Sequence, residues 1–500
     1  MRPLTALLLS LVLCLSVAAQ PFDTKAVDKI VTSTMKAWGI PGAAVAIVKN
    51  DRVVYVSGYG TKELGGTEPV TADTLFQIAS TSKAFTATAL AMLAAEKKLS
   101  FDDPVRKHLD YFHLSDLCAD SQVTIRDIVS HRTGLKRHDE LWDNSPLTRE
   151  EVVRRIGKVE LSKPFRSAYQ YQNIMYIAAG EVVANVSGTS WDEFVKRRIF
   201  EPLLMTRTVT SDADWNAADR ATGYQYDWKT GRISPQRPID TTTIGAGGAI
   251  KSCATDMANW LRFQLSNGAF NLVQLTDPAL IEETKTPNTV IRMEGLTREA
   301  NTETNVMSYA MGWTVQDYRG ELLVSHAGAL NGFRTHVDLL PRRNAGFVIM
   351  TNLGRGLANV SMRNSLADLL SGKPGRDWNA YYLMIDRRAD EKSAADKAER
   401  DAKRVPDTTP SRPLADYVGE YENPAYGVAK ISVVDGALVL QWSRMTIPLT
   451  HFHYDVFNAV SEYDDVDEQV TFGIAPDREV KSLTFFGERF TKKSAPPPHQ

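Results

Sequence analysis

Phe76-Gln77-Ile78-Ala79-Ser80-Thr81-Ser82-Lys83-Ala84-Phe85 opens a run, reaching Lys97, that is rich in Ala and Leu and poor in helix breakers. It reads as a helix from Ser82, and its apolar residues extend around most of the cylinder, so much of it should be buried. Ser80 and Lys83 stand three residues apart, a spacing that brings both side chains to one face of a helix starting here. A serine that attacks a carbonyl must lose its proton, and a nearby lysine can take or relay it when its surroundings favour the neutral amine. A backbone N–H at the helix start can also face the negative oxygen that develops. The plainer alternative for the same residues is an N-capping serine followed by a surface lysine.

Working outward, residues 23–38 place Val27, Ile30, Val31 and Met35 at helical spacings, and the 39–42 segment with Pro41 stops that helix. Residues 43–49 and 52–57 are apolar and beta-branched and flank Asn50-Asp51, which predicts a hairpin. Residues 171–186 have a second dense helical character. Residues 322–325, 332–340 and 345–351 read as successive strands, the last two joined by a turn at 341–344. A helix over 357–370 follows. Helices at both sequence ends of these antiparallel strands predict an α+β catalytic domain over residues 21–380, with a central antiparallel sheet flanked by helices.

The composition then changes. Between Asp386 and Arg404 seven basic and six acidic residues alternate with Ala, which fits an exposed charged helix, and 406–413 carries the prolines of a linker. Charged helix and linker together occupy 381–411. Patterned segments return at 429–434 and 437–442 around Asp435-Gly436, and again at 469–474 and 480–486. A small all-β module over 412–494 is predicted, with a fraying Pro-rich terminus.

The 500 residues carry 58 Lys plus Arg against 60 Asp plus Glu, a net charge of -2 that gives no strong field for nucleic acid or an anionic membrane. Arg2, the apolar run 4–17 and Val17-Ala18-Ala19 read as a signal peptide over residues 1–19, so the chain is expected to be exported, periplasmic or extracellular, without stable membrane insertion after cleavage. Beyond Cys14 only Cys118 and Cys253 remain, and sequence does not say whether they pair. His108, His113, His131, His138 and His326 show no metal-ligand spacing, so neither metal nor cofactor is expected. Gly245, Gly247 and Gly248 lack the Lys-Ser or Lys-Thr ending of a phosphate loop and read as a tight path at a cleft edge.

The chain resembles the serine beta-lactamase and penicillin-binding-protein-like hydrolases, a superfamily of D-peptidases, beta-lactamases and esterases. The resemblance spans residues 40–354 and rests on Ile40-Pro41-Gly42, the Ser80 to Lys83 motif, residues 128–135 around His131-Arg132-Thr133-Gly134, Tyr171-Gln172-Asn173, Gly247-Gly248, Gly312-Trp313 and His326-Ala327-Gly328. It implies Ser80 as nucleophile with Lys83 and Tyr171 as its proton-transfer partners. It further implies Asn173, His326 and Gly328 at the substrate, and the N–H groups of Ser80 and Ala329 as the oxyanion hole. His326 stands where many beta-lactamases carry Lys or Arg, and a histidine need not be charged near neutral pH. The segment from Leu414, through Tyr417-Val418-Gly419-Glu420-Tyr421, resembles the small lipocalin-like domain often appended to these enzymes, which could cover the cleft, restrict substrate length or support a homo-oligomer. The expectation is an exported serine hydrolase working through an acyl-enzyme, first on peptides containing a D-residue or of cell-wall type. Beta-lactams or carboxylic esters are the alternative substrates, and a non-catalytic peptide or cell-wall binding protein is the alternative class.

Overall fold

The computed structural model describes residues 22–462 and 466–494; the leader read in 1–19 and the Pro-rich end fall outside the described residues. Helix α1 (Thr24–Trp38) begins where the Asp23 carboxylate accepts the Ala26 N–H, and it buries Val27, Val31 and Trp38 along one side. Strands β1 (Gly42–Lys49) and β2 (Arg52–Gly60) form the expected hairpin, with Asn50 and Asp51 both left-handed at φ 52 and 59, the conformation a two-residue turn needs to match strand twist. Among the helices that follow, the three longest before the next strands of the sheet are α2 (Ser82–Ala95), α3 (Ile174–Ser187) and α4 (Ala254–Leu265). The chain then lays down β3 (Thr289–Val290), β4 (Met307–Tyr309), β5 (Thr314–Tyr318), β6 (Glu321–Leu330), β7 (Phe333–Leu340) and β8 (Ala345–Thr351). Helix α5 (Gly356–Ser371) ends the layer on the other side.

These strands make one antiparallel eight-stranded sheet in the order β2-β1-β8-β7-β6-β5-β4-β3. Strand β1 shows how two cores are served by one element. Ala44, Ala46 and Val48 join the apolar cluster that contains α2, α3 and α4, whereas Ala43, Val45 and Ile47 join the cluster containing α1 and α5. Alternate side chains leave a strand on opposite faces, so a strand read as continuously apolar must be covered on both. The sequence reading of 322–325 captured only part of β6, which continues through His326-Ala327-Gly328 and pairs Ala327 with His336 and Ala329 with Arg334 of β7.

Helix α6 (Trp378–Ala402) starts as part of the catalytic layer, with Trp378, Tyr382 and Ile385 buried, and continues as the charged, exposed helix. Its Lys397 and Arg400 reach Asp467 in the C-terminal domain. That domain is a closed barrel of eight antiparallel strands: β9 (Gly419–Asn423), β10 (Gly427–Val434), β11 (Ala437–Trp442), β12 (Met445–His453), β13 (Val456–Ser461), β14 (Val466–Ile474), β15 (Val480–Phe485) and β16 (Glu488–Lys492). Sequence patterning located β10, β11, β14 and β15. It passed over β12, where Pro448 sits at an outward position between the buried Ile447 and Leu449, so the alternation survives a residue that usually argues against a strand. Among the described residues no helix is long and apolar enough to cross a membrane, and no cluster of His, Cys, Asp and Glu is arranged to hold a metal ion. Cys118 is exposed and Cys253 buried, and both are free thiols.

Candidate active site

The turn that delivers Ser80 is a single 3-10 turn, Ala79–Thr81, leading directly into α2. Ala79 is left-handed at φ 50, a conformation that costs an alanine on the order of 1 kcal/mol and persists only where surroundings fix it. Neighbouring hydroxyls supply the fixing: Thr81 Oγ1 donates to Ile78 O at 2.8 Å, and Ser82 Oγ donates to Ala79 O at 2.6 Å while accepting the Ile250 N–H at 3.1 Å. Ser80 itself remains partly exposed, as a nucleophile must.

Lys83 is completely buried one turn further on. Its Nζ lies 2.7 Å from Asn173 Oδ1, 2.6 Å from Gly247 O and 3.2 Å from Ser80 Oγ. Burial holds the amine well below the usual lysine range, with Asp139 raising it and Arg137 lowering it further. A neutral amine has two N–H donors and one lone pair. The two carbonyl oxygens can only accept, so they take the donors and leave the lone pair for the Ser80 hydroxyl proton. This arrangement can deprotonate a serine.

Tyr171 and Asn173 arrive from the segment before α3. The Tyr171 ring lies 4.9 Å from Lys83 Nζ, and burial pushes its phenol well above the usual tyrosine range, opposed by interaction with Ser80 and by the positive charge of Arg137. The phenol is therefore a proton carrier that stays protonated at neutral pH. His131, from the 128–135 segment, is buried behind it: the Gln172 N–H donates to His131 Nδ1 at 3.1 Å, and the imidazole packs 4.3 Å from the Tyr171 ring and 4.5 Å from Tyr309. Asn173 bridges the amine and a carboxylate, accepting from Lys83 and donating from Nδ2 to Asp139 Oδ1 at 2.9 Å.

Strand β6 closes the other side. A Cβ on Gly328 would stand 2.1 Å from Ile78 O, so only glycine lets the strand lie against the turn carrying Ser80. The same holds where a Cβ on Gly312, at φ 76, would meet Lys83 O at 2.7 Å. Ala329 and Ser80, whose N–H groups are the oxyanion donors implied by resemblance, both border one cavity of about 280 Å3. His326 uses both ring nitrogens internally: Nδ1 lies 2.7 Å from Ala327 O, which can only accept, so Nδ1 carries the proton and Nε2 accepts from the Tyr309 hydroxyl at 2.9 Å. Burial, with Lys83 nearby, pulls this histidine down to about 3, so the strand presents no cation here.

The cavity's charge comes instead from residues that sequence reasoning missed. Arg137 and Asp139 form one wall with Trp142, and Arg334 of β7 forms another. Arg334 donates to Leu330 O and Phe333 O, and burial pulls its guanidinium down to about 10. Gln225, Gln236 and Asn331 add amides. Only the position of Arg137 and Asp139, just beyond the His131 to Leu135 motif, pointed toward them. The Gly247 carbonyl had no side-chain signature at all, although the glycines around it were read as a cleft edge. An activated hydroxyl, a buried amine, a protonated phenol and backbone donors around one polar cavity can carry out acyl transfer.

The sequence profile of the Beta-lactamase family matches residues 27–371, and the profile described as "Domain of unknown function (DUF3471)" matches 403–495. Unguisins hydrolase ungD' of Aspergillus campestris is 30% identical over 423 residues, covering 80% of this chain and 76% of the relative. Protein flp of Staphylococcus aureus is 27% identical over 332 residues, covering 65% of this chain and 62% of the relative. Among solved structures, the octameric penicillin-binding protein homologue from Pyrococcus abyssi superposes with a TM-score of 0.63 at 23% identity, covering 94% of this chain and 100% of that one. A class C beta lactamase from Rhodobacter sphaeroides gives 0.56 at 22% identity, over 70% of this chain and 99% of the other. At these identities the two structures establish the shared fold.

Proposed function

The chain belongs to the beta-lactamase family, whose fold is that of serine acyl-transfer hydrolases, and we propose that it cleaves peptides with a D-residue at the scissile bond through an acyl-enzyme on Ser80. The observation that carries the reading is the ligation of Lys83: two carbonyl acceptors and the Ser80 hydroxyl around one buried amine. Ser80 Oγ attacks the acyl carbon while its proton passes to Lys83 Nζ. The carbonyl oxygen, now an anion, is held by the N–H groups of Ser80 and Ala329, where one such donor is worth about 3 kcal/mol. As the C–N bond breaks, Tyr171 gives its phenolic proton to the leaving nitrogen and is reprotonated from the Lys83 ammonium. Water then adds to the Ser80 ester, passes its proton to the same pair and releases the acid, which restores the serine.

The cavity supports a peptide. Gln225, Gln236 and Asn331 offer donors and acceptors to amide groups, and the guanidinium of Arg334 suits a carboxylate. Preference for a D-residue rests on the resemblance to D-peptidases and on the uncharged His326. The test is a panel comprising a peptide ending in two D-alanines, its all-L counterpart, a chromogenic beta-lactam and a small aryl ester, assayed with the protein and with Ser80→Ala. The D-terminal peptide should be cleaved with the highest kcat/KM and Ser80→Ala should cleave none. Preference for the L-peptide, lactam or ester overturns the substrate class, and undiminished activity in Ser80→Ala overturns the nucleophile. A folded protein that neither turns over the panel nor forms an acyl adduct on Ser80 would instead be a binding protein. Export is proposed on Arg2, the apolar run 4–17 and Val17-Ala18-Ala19. Recovery of the protein from the cytosol alone, with its amino terminus uncut, would overturn it.

A further inference from the structure

Arg137 and Asp139 both line the active-site cavity, and the residue between them does not. His138 is left-handed at φ 50, and its buried ring meets the barrel: Nδ1 lies 2.6 Å from the hydroxyl of Tyr426. Tyr426 is itself anchored, since Asn423 Oδ1 accepts the N–H groups of Ala425 at 2.8 Å and Tyr426 at 3.0 Å, and the Trp442 indole donates to Tyr426 O at 3.0 Å. The flanks of the same loop are also pinned to the barrel. Lys136 pairs with Glu488 at 3.0 Å, and the Asn144 carbonyl accepts from Ser443 Oγ at 2.8 Å and from the Arg444 N–H at 3.2 Å.

On its inner side this loop touches the reacting groups. Asp139 Oδ1 accepts from Asn173 Nδ2 at 2.9 Å and from the Trp142 indole at 2.7 Å, and Arg137 lies 5.2 Å from the Tyr171 ring centre. We propose that the C-terminal barrel is a positioning element of the active site, in which Tyr426, acting through His138, holds Arg137 and Asp139 where they orient Asn173 and set the charge around Lys83 and Tyr171. After burial, the groups that bear on the Lys83 amine are Asp139 and Arg137, and both also bear on the Tyr171 phenol. The barrel thus reaches the chemistry without contributing an atom to it. A residue in left-handed conformation is costly for histidine and is kept only if its contacts hold it, which gives the Tyr426 hydroxyl leverage over the residues on either side. The inference rests on the acyl-transfer reading above, so its test has one arm that needs no turnover.

Full-length protein, Tyr426→Phe, Asp139→Asn and the double variant are compared for the second-order rate of Ser80 acylation by an activated aryl ester, read by mass spectrometry. Backbone hydrogen exchange over residues 136–144 is measured alongside. Tyr426→Phe removes one buried hydroxyl and should slow acylation about tenfold and speed exchange in that segment by a similar factor. In the Asp139→Asn background the same change should slow acylation less than about twofold, because coupled residues do not act additively. His138→Asn, which tolerates the left-handed backbone and keeps a polar group, should retain more rate than His138→Ala. If Tyr426→Phe does not fold, Glu488→Gln takes its place in the same cycle. Acylation at the full rate in Tyr426→Phe, or an undiminished effect in the double variant, overturns the proposal. Absence of any Ser80 adduct in the unaltered protein overturns the hydrolase reading instead, and unchanged exchange over 136–144 then overturns the brace by itself.

Discussion

Beneath Ser80 the catalytic domain buries Lys83, His131, His326, His336 and Asp338, whereas the large buried side chains of the barrel include Tyr417, Tyr421, Trp442, Phe457, Phe472, Phe485 and Phe490. Among the described residues of the barrel, Ser482 is the buried hydroxyl without a ring. Deep in the catalytic interior His336 Nδ1 stands 3.7 Å from Asp338 Oδ2, beyond hydrogen-bond distance, and burial pushes that acid up to about 7. Burying a polar group without a hydrogen bond costs on the order of 1–3 kcal/mol. The barrel's inside avoids this cost, being filled with aromatic rings packed edge to face, such as Tyr417 against Phe472 at 4.8 Å. The difference teaches where reactivity resides: the same burial that weakens one interior keeps Lys83 neutral enough to act as a base.

Substitutions can separate the two roles. Lys83→Ala should lower Ser80 acylation by about a thousandfold or more while moving the melting temperature by only a few degrees, because what it removes is a buried amine. A large loss of stability in a calorimeter would make the lysine a structural residue and break the contrast. Phe472→Ala should do the reverse, costing the barrel about 3–5 kcal/mol in denaturant unfolding. The fraction that stays folded should still acylate at Ser80. Gly328→Ala lies where the two demands meet: its Cβ would press on Ile78 O, so about 1–3 kcal/mol of stability and much of the acylation rate should be lost together.

The smallest effect is one of pH. Lys83 must be unprotonated to accept the Ser80 proton, and its pKa lies below the usual lysine range, so acylation should fall as pH drops through that lowered value. Tyr171 is raised above its usual value of about 10, so no loss should appear on the alkaline side until beyond that pH. A rate-against-pH profile of the ester reaction measures both limbs. A decline already complete by about pH 9 would mean that the phenol is not the buried, protonated group seen beside Ser80.

Much of this was legible from residue order. The hairpin at Asn50-Asp51 follows from local turn chemistry, α2 from its unbroken Ala and Leu run, and the Ser80 to Lys83 spacing from helix geometry. Half of the barrel was not legible, since strands such as β12 mix threonine, proline and histidine on the outer face with a thin apolar alternation inside. The charges at the site were equally hidden. Arg137 and Asp139 look like surface residues until the fold stands them beside Tyr171 and Asn173.

By itself the sequence determined which groups could react, because a helix brings residues three apart onto one face whatever surrounds it. Only the tertiary structure decided how they react. The Gly247 carbonyl, 164 positions from Lys83, takes a donor from the amine, and the barrel's Tyr426, 288 positions from His138, meets the loop that lines the cavity. Contacts of that separation depend on where backbone atoms come to rest, and a carbonyl or a left-handed turn carries no residue identity by which sequence could announce it.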